Sequence, residues 1–574
     1  MKKPRLLWLT ILASSLFILV SGSVSAAPAE DMSLGQKVDK LFDKWNSIDS
    51  PGAAVVVVKD GMVVFRKGYG SAQLEYGVPI TPSTVFHVAS VSKQFTAMAI
   101  TMLEEAGKLS VDDDVRKYIP ELADFGKTIT LRHLLNHTSG LRDQWELLIL
   151  SGWRMDDVIT QAHIMDRLVR QRELNFAPGT RHLYCNSGFT LLAEIVSRVS
   201  GVPFTQWTLE NIFRPLGMTS THFHLDHQEI VRNRAYSYDG SRDKGFAQSV
   251  LNYANVGATS LFTTVEDMAN WIRNFEDKRV GGAAVLDRML TPGVLADGKA
   301  ISYARGIDTG EYRGLKFFGH GGADAGFRSD VMIVPGERFG VAVFSNLGDF
   351  APGALSRQIA DIYLASRFKT PGPGPTGAAA VPSKPAPKPV GLPLKTLEAL
   401  QGTYWFESTQ LVRKIIVDKG KLVYFRNEGS QNELAPQSAT EFKMAGVPDD
   451  VLVTFSDKVG PHYETLTVAV GSEPPVVGKR TEPYEPAEDE LKGYTGSYYS
   501  AELDRRYEVQ LRSGKLHVLY GNGEDAALTP KKKDFFGGGD LAVLAFQRDG
   551  SGAVTGFTVS TGRVLNLKFT RLGT

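Results

Sequence analysis

The hydrophobic residues of the chain follow helical and strand periods in separate stretches. Residues 33–46 place apolar side chains three or four positions apart, which predicts a helix that ends before Pro51–Gly52. The stretch AAVVVVKDGMVVFRKGYG, residues 53–70, predicts two strands joined at Asp60–Gly61. From Ser90 onward a wide apolar face predicts a helix that stops at Gly107. Further helices are predicted over 131–136, 187–199 and 264–275, and Thr264 and Asp267 can cap the start of the last one.

Strand-like stretches return later in the chain. Between residues 316 and 346, the segments FFGH, SDVMIVP and RFGVAVFSN predict adjacent antiparallel strands, with Pro335–Gly336 as a turn. A helix-rich region separates these strands from the early hairpin. The simplest arrangement joins both ends of this region in one antiparallel sheet with helices packed on it, which is an α+β fold.

Beyond residue 370 the composition and the pattern both change. Eight of the 23 residues in 371–393 are proline, which is typical of a semi-rigid linker. The segment LQGTY at 400–404 resembles YTGSY at 494–498, and GKL recurs at 420–422 and 514–516, each with an offset of 94 residues. Both copies are rich in short alternating strands, so we predict two small antiparallel β-barrel domains.

The N-terminus has the arrangement of a signal peptide. Lys2, Lys3 and Arg5 precede an apolar run over 6–20 and a small-residue stretch that ends at Ala26. We therefore expect an exported protein, periplasmic or secreted, that is cleaved near Ala26 and has no membrane span in the mature chain. An uncleaved anchor is the alternative, although the run is short for a membrane span. The predicted segments are the signal peptide (1–26), an α+β domain (32–369), a Pro/Gly/Ala-rich linker (370–395) and two β-barrels (396–482 and 487–574).

Composition narrows the classes of partner. The chain has 574 residues, of which 43% are hydrophobic and 22% charged, and its formal net charge is +1. Because no long basic run is present, we expect no nucleic acid partner and instead a small-molecule or peptide substrate. The only cysteine, Cys185, cannot form an internal disulfide, so the folded chain depends on its hydrophobic cores. The oligomeric state is left open.

Ser90 and Lys93 form the first candidate for chemistry. At the start of a helix the backbone N–H of Ser90 has no helical partner, and Lys93 lies three residues on, on the same side of the first turn. A lysine against an apolar wall has a lowered pKa and can take the proton of a serine hydroxyl. The alternative is a serine cap with a solvated lysine, because Ser-x-x-Lys also occurs at Ser241 and Ser366.

Two further motifs add to this pair. Tyr184 and Asn186 alternate around Cys185 on a loop that enters a helix. A phenol can relay a proton there if nearby cations lower its pKa, and an amide can hold a substrate carbonyl. A core tyrosine with a capping asparagine is the alternative, since Tyr-x-Asn also occurs at 253–255 and 520–522. The third motif is a predicted edge strand whose glycines admit a substrate backbone, and we assign substrate binding to His320, Gly321, Gly322 and Ala323.

In order and separation, the three motifs resemble those of the serine β-lactamase and penicillin-binding-protein superfamily. Flanking segments are similar to its class C β-lactamase branch, which includes esterases and D-aminopeptidases: ITLRHLLNHTSGL (129–141), FAPGT (176–180), RPLGM (214–218) and GFRS (326–329). The resemblance covers about 33–369. It implies a β-lactamase/transpeptidase-like fold, an antiparallel sheet flanked by helices, ahead of the two barrels.

The resemblance also implies a role for each candidate. Ser90 would be the acylated nucleophile, while Lys93 and Tyr184 would share general-base and general-acid work. Asn186 would orient the substrate, and His320 would stand opposite the nucleophile. The backbone N–H groups of Ser90 and Ala323 would form the oxyanion hole, and no metal or cofactor is implied.

The predicted function is an exported serine hydrolase that cleaves an ester or an amide bond, including peptides that contain D-amino acids. Antibiotic-hydrolysing members of the superfamily usually carry Lys-Thr-Gly where this chain has His320-Gly321-Gly322. A neutral imidazole binds a substrate carboxylate less well than a permanent cation, unless Arg328 supplies the charge. The alternatives are a β-lactamase or D,D-carboxypeptidase, a non-turnover binding or sensor protein for peptidoglycan fragments, and a ligand carrier that uses the barrels.

One histidine cluster stands outside these motifs. His222, His224 and His227 lie together in THFHLDHQ, a spacing that can suit a metal. No partner cluster is evident in the sequence, so we predict a surface loop there and no metal site.

Overall fold

The computed structural model describes residues 33–370 and 392–573, apart from short gaps at 410, 428–429, 447–450, 471–474, 483, 522 and 542. The predicted signal peptide and most of the predicted linker lie outside the described residues. In the described part of the chain, no helix is long and apolar enough to cross a membrane.

The first region, residues 33–370, mixes helices and strands. Its helices are α1 (Leu34–Phe42), α2 (Ser92–Glu105), α3 (Leu131–Leu135), α4 (Gln144–Leu150), α5 (Gln161–Val169), α6 (Asn186–Ser200), α7 (Phe204–Thr208), α8 (Arg214–Leu216), α9 (Val265–Asp277), α10 (Gly282–Met289) and α11 (Pro352–Tyr363). Its strands are β1 (Ala53–Lys59), β2 (Met62–Tyr69), β3 (Ser71–Gln73), β4 (Val78–Pro79), β5 (Phe86–His87), β6 (Ile159–Thr160), β7 (His222–Phe223), β8 (Tyr238–Ser241), β9 (Gly245–Gln248), β10 (Tyr253–Ala254), β11 (Leu261–Thr263), β12 (Asp308–Tyr312), β13 (Leu315–Asp324), β14 (Phe327–Val334) and β15 (Phe339–Ser345).

One antiparallel sheet joins the two ends of this region. Its strand order is β12-β13-β14-β15-β1-β2, and β1 pairs with β15 from Ala53↔Ser345 to Lys59↔Phe339. The prediction of a single sheet built from the early hairpin and the late strands is therefore confirmed. The predicted turn at Pro335–Gly336 forms a short 3₁₀ turn between β14 and β15.

Helices cover both faces of the sheet, and β1 is accordingly apolar at each position from Ala53 to Val58. Side chains of a strand alternate between its two faces. Val55 and Val57 lie in a core with α1 and α11, whereas Val56 and Val58 lie in the larger core with α2 and α9. The predicted cap of α9 is also present, since Thr264 Oγ1 accepts a hydrogen bond from Asp267 N at 3.0 Å. The sheet thus holds α2, and with it the serine motif, in a fixed place.

The C-terminal region contains two related β structures. Helix α12 (Leu394–Leu400) precedes a closed barrel of β16 (Gly402–Phe406), β17 (Leu411–Asp418), β18 (Lys421–Asn427), β19 (Ser430–Pro436), β20 (Glu441–Met444), β21 (Val451–Val459), β22 (His462–Val470) and β23 (Val476–Arg480). Helix α13 (Glu488–Lys492) precedes a nine-stranded sheet of β24 (Gly496–Ser500), β25 (Arg505–Arg512), β26 (Lys515–Tyr520), β27 (Glu524–Ala527), β28 (Thr529–Lys532), β29 (Phe535–Gly537), β30 (Val543–Arg548), β31 (Val554–Ser560) and β32 (Leu567–Arg571).

The 94-residue repeat of the sequence corresponds to a repeat of structure. Strands β16 and β24 begin at Gly402 and Gly496, and β18 and β26 begin at Lys421 and Lys515. We call the second structure, 487–573, the second barrel; its sheet is nearly closed, with β27 and β28 at its two ends.

The second barrel packs directly on the first region, and the two share one hydrophobic core. A buried ion pair crosses between them, from Arg142 Nη1 to Glu502 Oε2 at 2.7 Å, with the arginine side chain fully buried. The Tyr507 hydroxyl donates to Leu150 O at 2.6 Å, and Arg505 Nε donates to Ser151 O at 2.8 Å. This interface surrounds α4, which begins next to the site described below.

Candidate active site

Ser90 lies in a short 3₁₀ turn, Ala89–Val91, immediately before α2. The helix begins at Ser92, two residues later than the sequence predicted. Ala89 has a φ of 46°, which is the left-handed region, and two hydrogen bonds hold it there. Its N–H donates to His87 Nδ1 at 3.2 Å, and its carbonyl accepts from Ser92 Oγ at 2.5 Å. The strained turn leaves Ser90 half-buried at the open end of the helix; we call Val88–Val91 the nucleophile turn.

Lys93 is completely buried beneath Ser90 and has three polar neighbours. Its Nζ lies 2.9 Å from Ser90 Oγ, 2.8 Å from Asn186 Oδ1 and 2.7 Å from Ala258 O. The amide and carbonyl oxygens can only accept hydrogen bonds. A neutral lysine therefore donates its two N–H groups to these oxygens, which leaves its lone pair directed at the Ser90 hydroxyl. The arrangement suits a base for this serine.

Burial lowers the pKa of Lys93 below its ordinary value because the charged ammonium is removed from water. Asp324 and Asp143 oppose this by stabilising the ammonium, whereas Arg563 reinforces it. The charge state of Lys93 thus depends on groups from three different parts of the chain.

Asn186, the first residue of α6, is held in one orientation by Asp143. Asp143 Oδ2 accepts from Asn186 N at 2.7 Å and from Asn186 Nδ2 at 2.9 Å. Since the amide nitrogen faces Asp143, the amide oxygen faces Lys93. Asp143 is itself fully buried at the start of α4, where its Oδ1 accepts from Trp145 N at 3.1 Å.

Tyr184 lies beside the same pair, with its ring centroid 5.0 Å from Lys93 Nζ and 4.1 Å from the ring of His137. Burial raises the pKa of Tyr184 above its ordinary value, against a smaller lowering by Ser90. The lowered pKa that the sequence analysis required for a phenolate relay is therefore absent. Among the described residues the buried Tyr184 hydroxyl has no hydrogen-bond partner, so it is available to a substrate atom.

Strand β13 forms the opposite wall of the site. Strand β12 pairs with residues 315–319 of β13 only, so in the described chain no strand covers residues 320–324 on that side. A Cβ at Gly322 would lie 2.4 Å from Val88 O, so the missing side chain lets β13 approach the nucleophile turn. A Cβ at Gly321 would meet nothing closer than Ser329 O at 3.7 Å. Ala323 is exposed at the end of the strand.

His320 is buried and neutral. Its Nδ1 lies 2.6 Å from Gly321 O, which can only accept, so this nitrogen carries the proton. Its Nε2 then accepts from the Tyr303 hydroxyl at 2.9 Å. Burial, reinforced by Lys93, lowers the pKa of His320 to about 3. Arg328, the alternative source of charge, donates to Ala325 O and Phe327 O, at 2.8 and 2.7 Å.

The structure brings all of the predicted site residues to one place and adds others that the sequence analysis missed. Asp143 follows an arginine in an unremarkable helix start, and Asp324 directly follows the glycine motif. The Thr259 hydroxyl hydrogen-bonds Asp324, and burial raises the pKa of that carboxyl. Arg563 lies in the second barrel, and no local pattern marks it. Cys185 is buried, and burial raises the pKa of its thiol to about 12.

The prediction of a surface loop is wrong for part of the histidine cluster, because His224 is buried; His227 is exposed, and Glu229 lies with His222 and His224 in its place. Candidate ligand atoms of His222, His224 and Glu229 all lie within 4.8 Å of one another. His222 lies in β7 and His224 directly follows that strand, two positions further on in extended chain, which places both side chains on one side. The guanidinium of Arg234 packs on Phe262, beside both histidines. Burial lowers the pKa of both histidines, and the charge of Arg234 lowers it further. The same charge opposes a metal cation, so this cluster is a weak metal site.

A strained serine turn, a buried lysine that hydrogen-bonds the serine, and an uncovered strand edge together define a serine acyl-transfer site. Comparison with known families agrees. The Beta-lactamase family model matches residues 38–364, more than half of the chain. The chain belongs to the beta-lactamase family of serine hydrolases.

Individual relatives differ in how much of the chain they match. A D-aminopeptidase of Brucella anthropi is 32% identical over 297 residues, which are 52% of this chain and 56% of that protein. The alignment thus spans little more than half of that relative. A D-aminopeptidase of Brucella canis is 26% identical over 538 residues, covering 91% of this chain and 96% of its own. The octameric penicillin-binding protein homologue from Pyrococcus abyssi has a TM-score of 0.54 at 23% identity, over 78% of this chain and all of that one, which indicates a shared fold.

Proposed function

We propose that this protein is an exported serine hydrolase that forms an acyl-enzyme on Ser90 and cleaves amide bonds in substrates that begin with a D-amino acid. The single observation that carries the proposal is the position of Lys93 Nζ, which lies 2.9 Å from Ser90 Oγ with two obligate acceptors on its other sides. This geometry supports a neutral lysine as the general base.

The first half of the reaction makes the acyl-enzyme. Lys93 takes the proton of Ser90 as Oγ attacks the substrate carbonyl carbon, and the carbonyl oxygen becomes an oxyanion. The backbone N–H groups of Ser90 and Ala323 donate to that oxyanion. As the tetrahedral intermediate collapses, the proton reaches the leaving nitrogen through the Tyr184 hydroxyl, and the amine departs. Asn186 holds the substrate beside Lys93.

The second half returns the free enzyme. A water molecule attacks the acyl carbon and gives its proton to Lys93, and the same N–H groups hold the second oxyanion. Collapse of this intermediate releases the carboxylic acid and returns the proton to Ser90 Oγ. A neutral Tyr184 fits this account, because it passes protons without having to carry a full negative charge.

The choice of substrate rests on two supports. D-aminopeptidases of Brucella anthropi and Brucella canis are similar to this chain, the second over nearly its whole length. The neutral state of His320 removes a cation that would favour a substrate carboxylate, which argues against a β-lactamase or D,D-carboxypeptidase. We also retain the predicted segments, which are 1–26 as the signal peptide, 32–369 as the catalytic domain, 370–395 as the linker, and 396–482 and 487–574 as barrels.

A panel of chromogenic substrates tests this proposal. We expect D-alanine p-nitroanilide to be hydrolysed faster than its L-enantiomer, its N-acetylated form and nitrocefin, with no turnover by Ser90→Ala. Preference for p-nitrophenyl acetate with no action on any anilide would make the protein an esterase. Equal rates for wild type and Ser90→Ala would contradict the nucleophile itself.

A further inference from the structure

Arg563 of the second barrel reaches the residues that surround Lys93. It lies in the loop of residues 561–566 that joins β31 to β32, which we call the β31–β32 loop. Arg563 Nη1 lies 3.4 Å from Asp143 Oδ2, and its Nε lies 3.3 Å from Glu146 Oε1. Asp143 is fully buried and Arg563 is about two thirds buried, so water screens this ion pair only weakly.

The backbone of the loop is fixed on the catalytic domain independently of that side chain. Arg563 N donates to Glu146 Oε2 at 2.6 Å, and Arg563 O accepts from Asn175 Nδ2 at 2.9 Å. Leu565 N donates to Asn175 Oδ1 at 2.8 Å, and Arg142 Nη2 donates to Leu565 O at 3.2 Å. These contacts fix the backbone of the β31–β32 loop and so place the Arg563 guanidinium beside Asp143.

A continuous chain of polar contacts leads from the loop to the nucleophile. Arg563 contacts Asp143, Asp143 accepts both N–H groups of Asn186, and the Asn186 oxygen accepts from Lys93. The donor and acceptor types of these groups fix the orientation of the Asn186 amide. If the amide of Asn186 flipped, its NH₂ would face the amine of Lys93 and its oxygen would face a carboxylate, so both contacts would be lost.

We propose that Arg563 is a positioning residue of the active site: its guanidinium clamps Asp143, which holds the Asn186 amide so that Lys93 keeps its lone pair on Ser90. This assignment rests on the proposed role of Lys93 as the base. It gives the second barrel a part in catalysis, because among the described residues of the catalytic domain no cation forms a salt bridge with Asp143.

The charges around Lys93 determine how its pKa changes when Arg563 is removed. The charged and titratable groups that act on Lys93 come from several elements: Asp324 on β13, Asp143 before α4, Cys185 before α6, and Arg563 on the barrel loop. Three neutral groups also face it, namely Tyr184, His137 and His320. Without Arg563 the charge of Asp143 is uncompensated and stabilises the ammonium form. The neutral fraction of Lys93 then falls at every pH below the shifted pKa.

The experiment measures how fast a fluorophosphonate labels Ser90 across a range of pH in the full-length protein. We expect Arg563→Ala and Arg563→Gln to shift the acidic limb of the pH–rate profile to higher pH by about one unit. The labelling rate should then be about tenfold lower at pH values below the limb and less affected above it. Arg563→Lys keeps the charge and should restore the limb. The double variant Arg563→Ala/Asp143→Asn removes both charges and should also return the limb toward that of wild type.

Arg505→Ala is the matched control, because it removes an interface hydrogen bond of the same barrel without touching Asp143. Its limb should coincide with that of wild type. A uniform fall in rate for Arg563→Ala and Arg563→Gln, with the limb unmoved, would overturn the proposal and leave Arg563 a purely structural residue. Labelling that persists in Ser90→Ala would instead contradict the proposed nucleophile, so the two failures are distinguishable.

Discussion

The Gly322→Ala substitution adds one methyl group where β13 lies against the nucleophile turn. The new Cβ would lie 2.3 Å from Ser329 Oγ, 2.4 Å from Val88 O and 3.1 Å from Ala89 Cβ. Cβ atoms do not approach other heavy atoms to less than 3.0 Å, and Val88 O belongs to the backbone, so the strand and the turn must separate by about 0.6 Å. That separation widens the gap between the N–H groups of Ser90 and Ala323, which must both reach one oxyanion.

Misplacement of reacting groups by about 1 Å costs about a hundredfold in rate, so we expect kcat/KM to fall between about tenfold and a hundredfold. The assay is hydrolysis of D-alanine p-nitroanilide, together with the rate of fluorophosphonate labelling, which does not depend on the substrate assigned. Gly336→Ala is the control, because Gly336 lies in the turn between β14 and β15, outside the site, and its Cβ would meet nothing within 4 Å. We expect its rates to stay within about twofold of wild type. Equal rates for the two variants would refute this account of the strand edge.

Three further perturbations test other parts of the structure. The wild-type rate should rise with pH through the lowered pKa of Lys93, because only the neutral amine accepts a proton, and Lys93→Met should abolish labelling at every pH. His320, with its pKa lowered to about 3, should add no limb near neutral pH, and His320→Lys should raise nitrocefin turnover relative to anilide turnover. Glu502→Ala leaves Arg142 as an uncompensated buried charge and should cost about 3–5 kcal/mol, seen as a lower thermal midpoint. The exposed ion pair between Glu508 and Arg506 should contribute at most about 1 kcal/mol, so Glu508→Ala serves as the control for Glu502→Ala.

Sequence patterns predict the local parts of the molecule because their causes are local. The apolar run of β1, the apolar face of α2 and the cap at Thr264 are each set by residues a few positions apart. The spacing of Ser90 and Lys93 is equally local, since three residues in the first turn place both side chains on one side. The 94-residue offset of Gly402 and Gly496 predicts two similar β structures, because the strand and turn pattern within each copy is local.

The parts that the sequence does not reveal depend on distant contacts. Asp143 acquires its role only when α4 and α6 pack together and bring it to Asn186. Arg563 lies more than 400 residues from Asp143, and its neighbours show no motif. The pKa of Tyr184 was expected to fall beside cations, but burial raises it, and burial is a property of the assembled core. Glu229 joins His224 through a loop whose path the spacing of histidines does not specify.

The most direct test of the central claim is the intact mass of the purified protein after brief exposure to a fluorophosphonate, beside a Ser90→Ala control. The account predicts one covalent adduct on the wild-type chain and none on the variant, because Ser90 has a buried lysine within hydrogen-bonding distance that can take its proton. A folded wild-type protein that remains unmodified, or an adduct that persists on Ser90→Ala, would contradict a mechanism that begins at this serine.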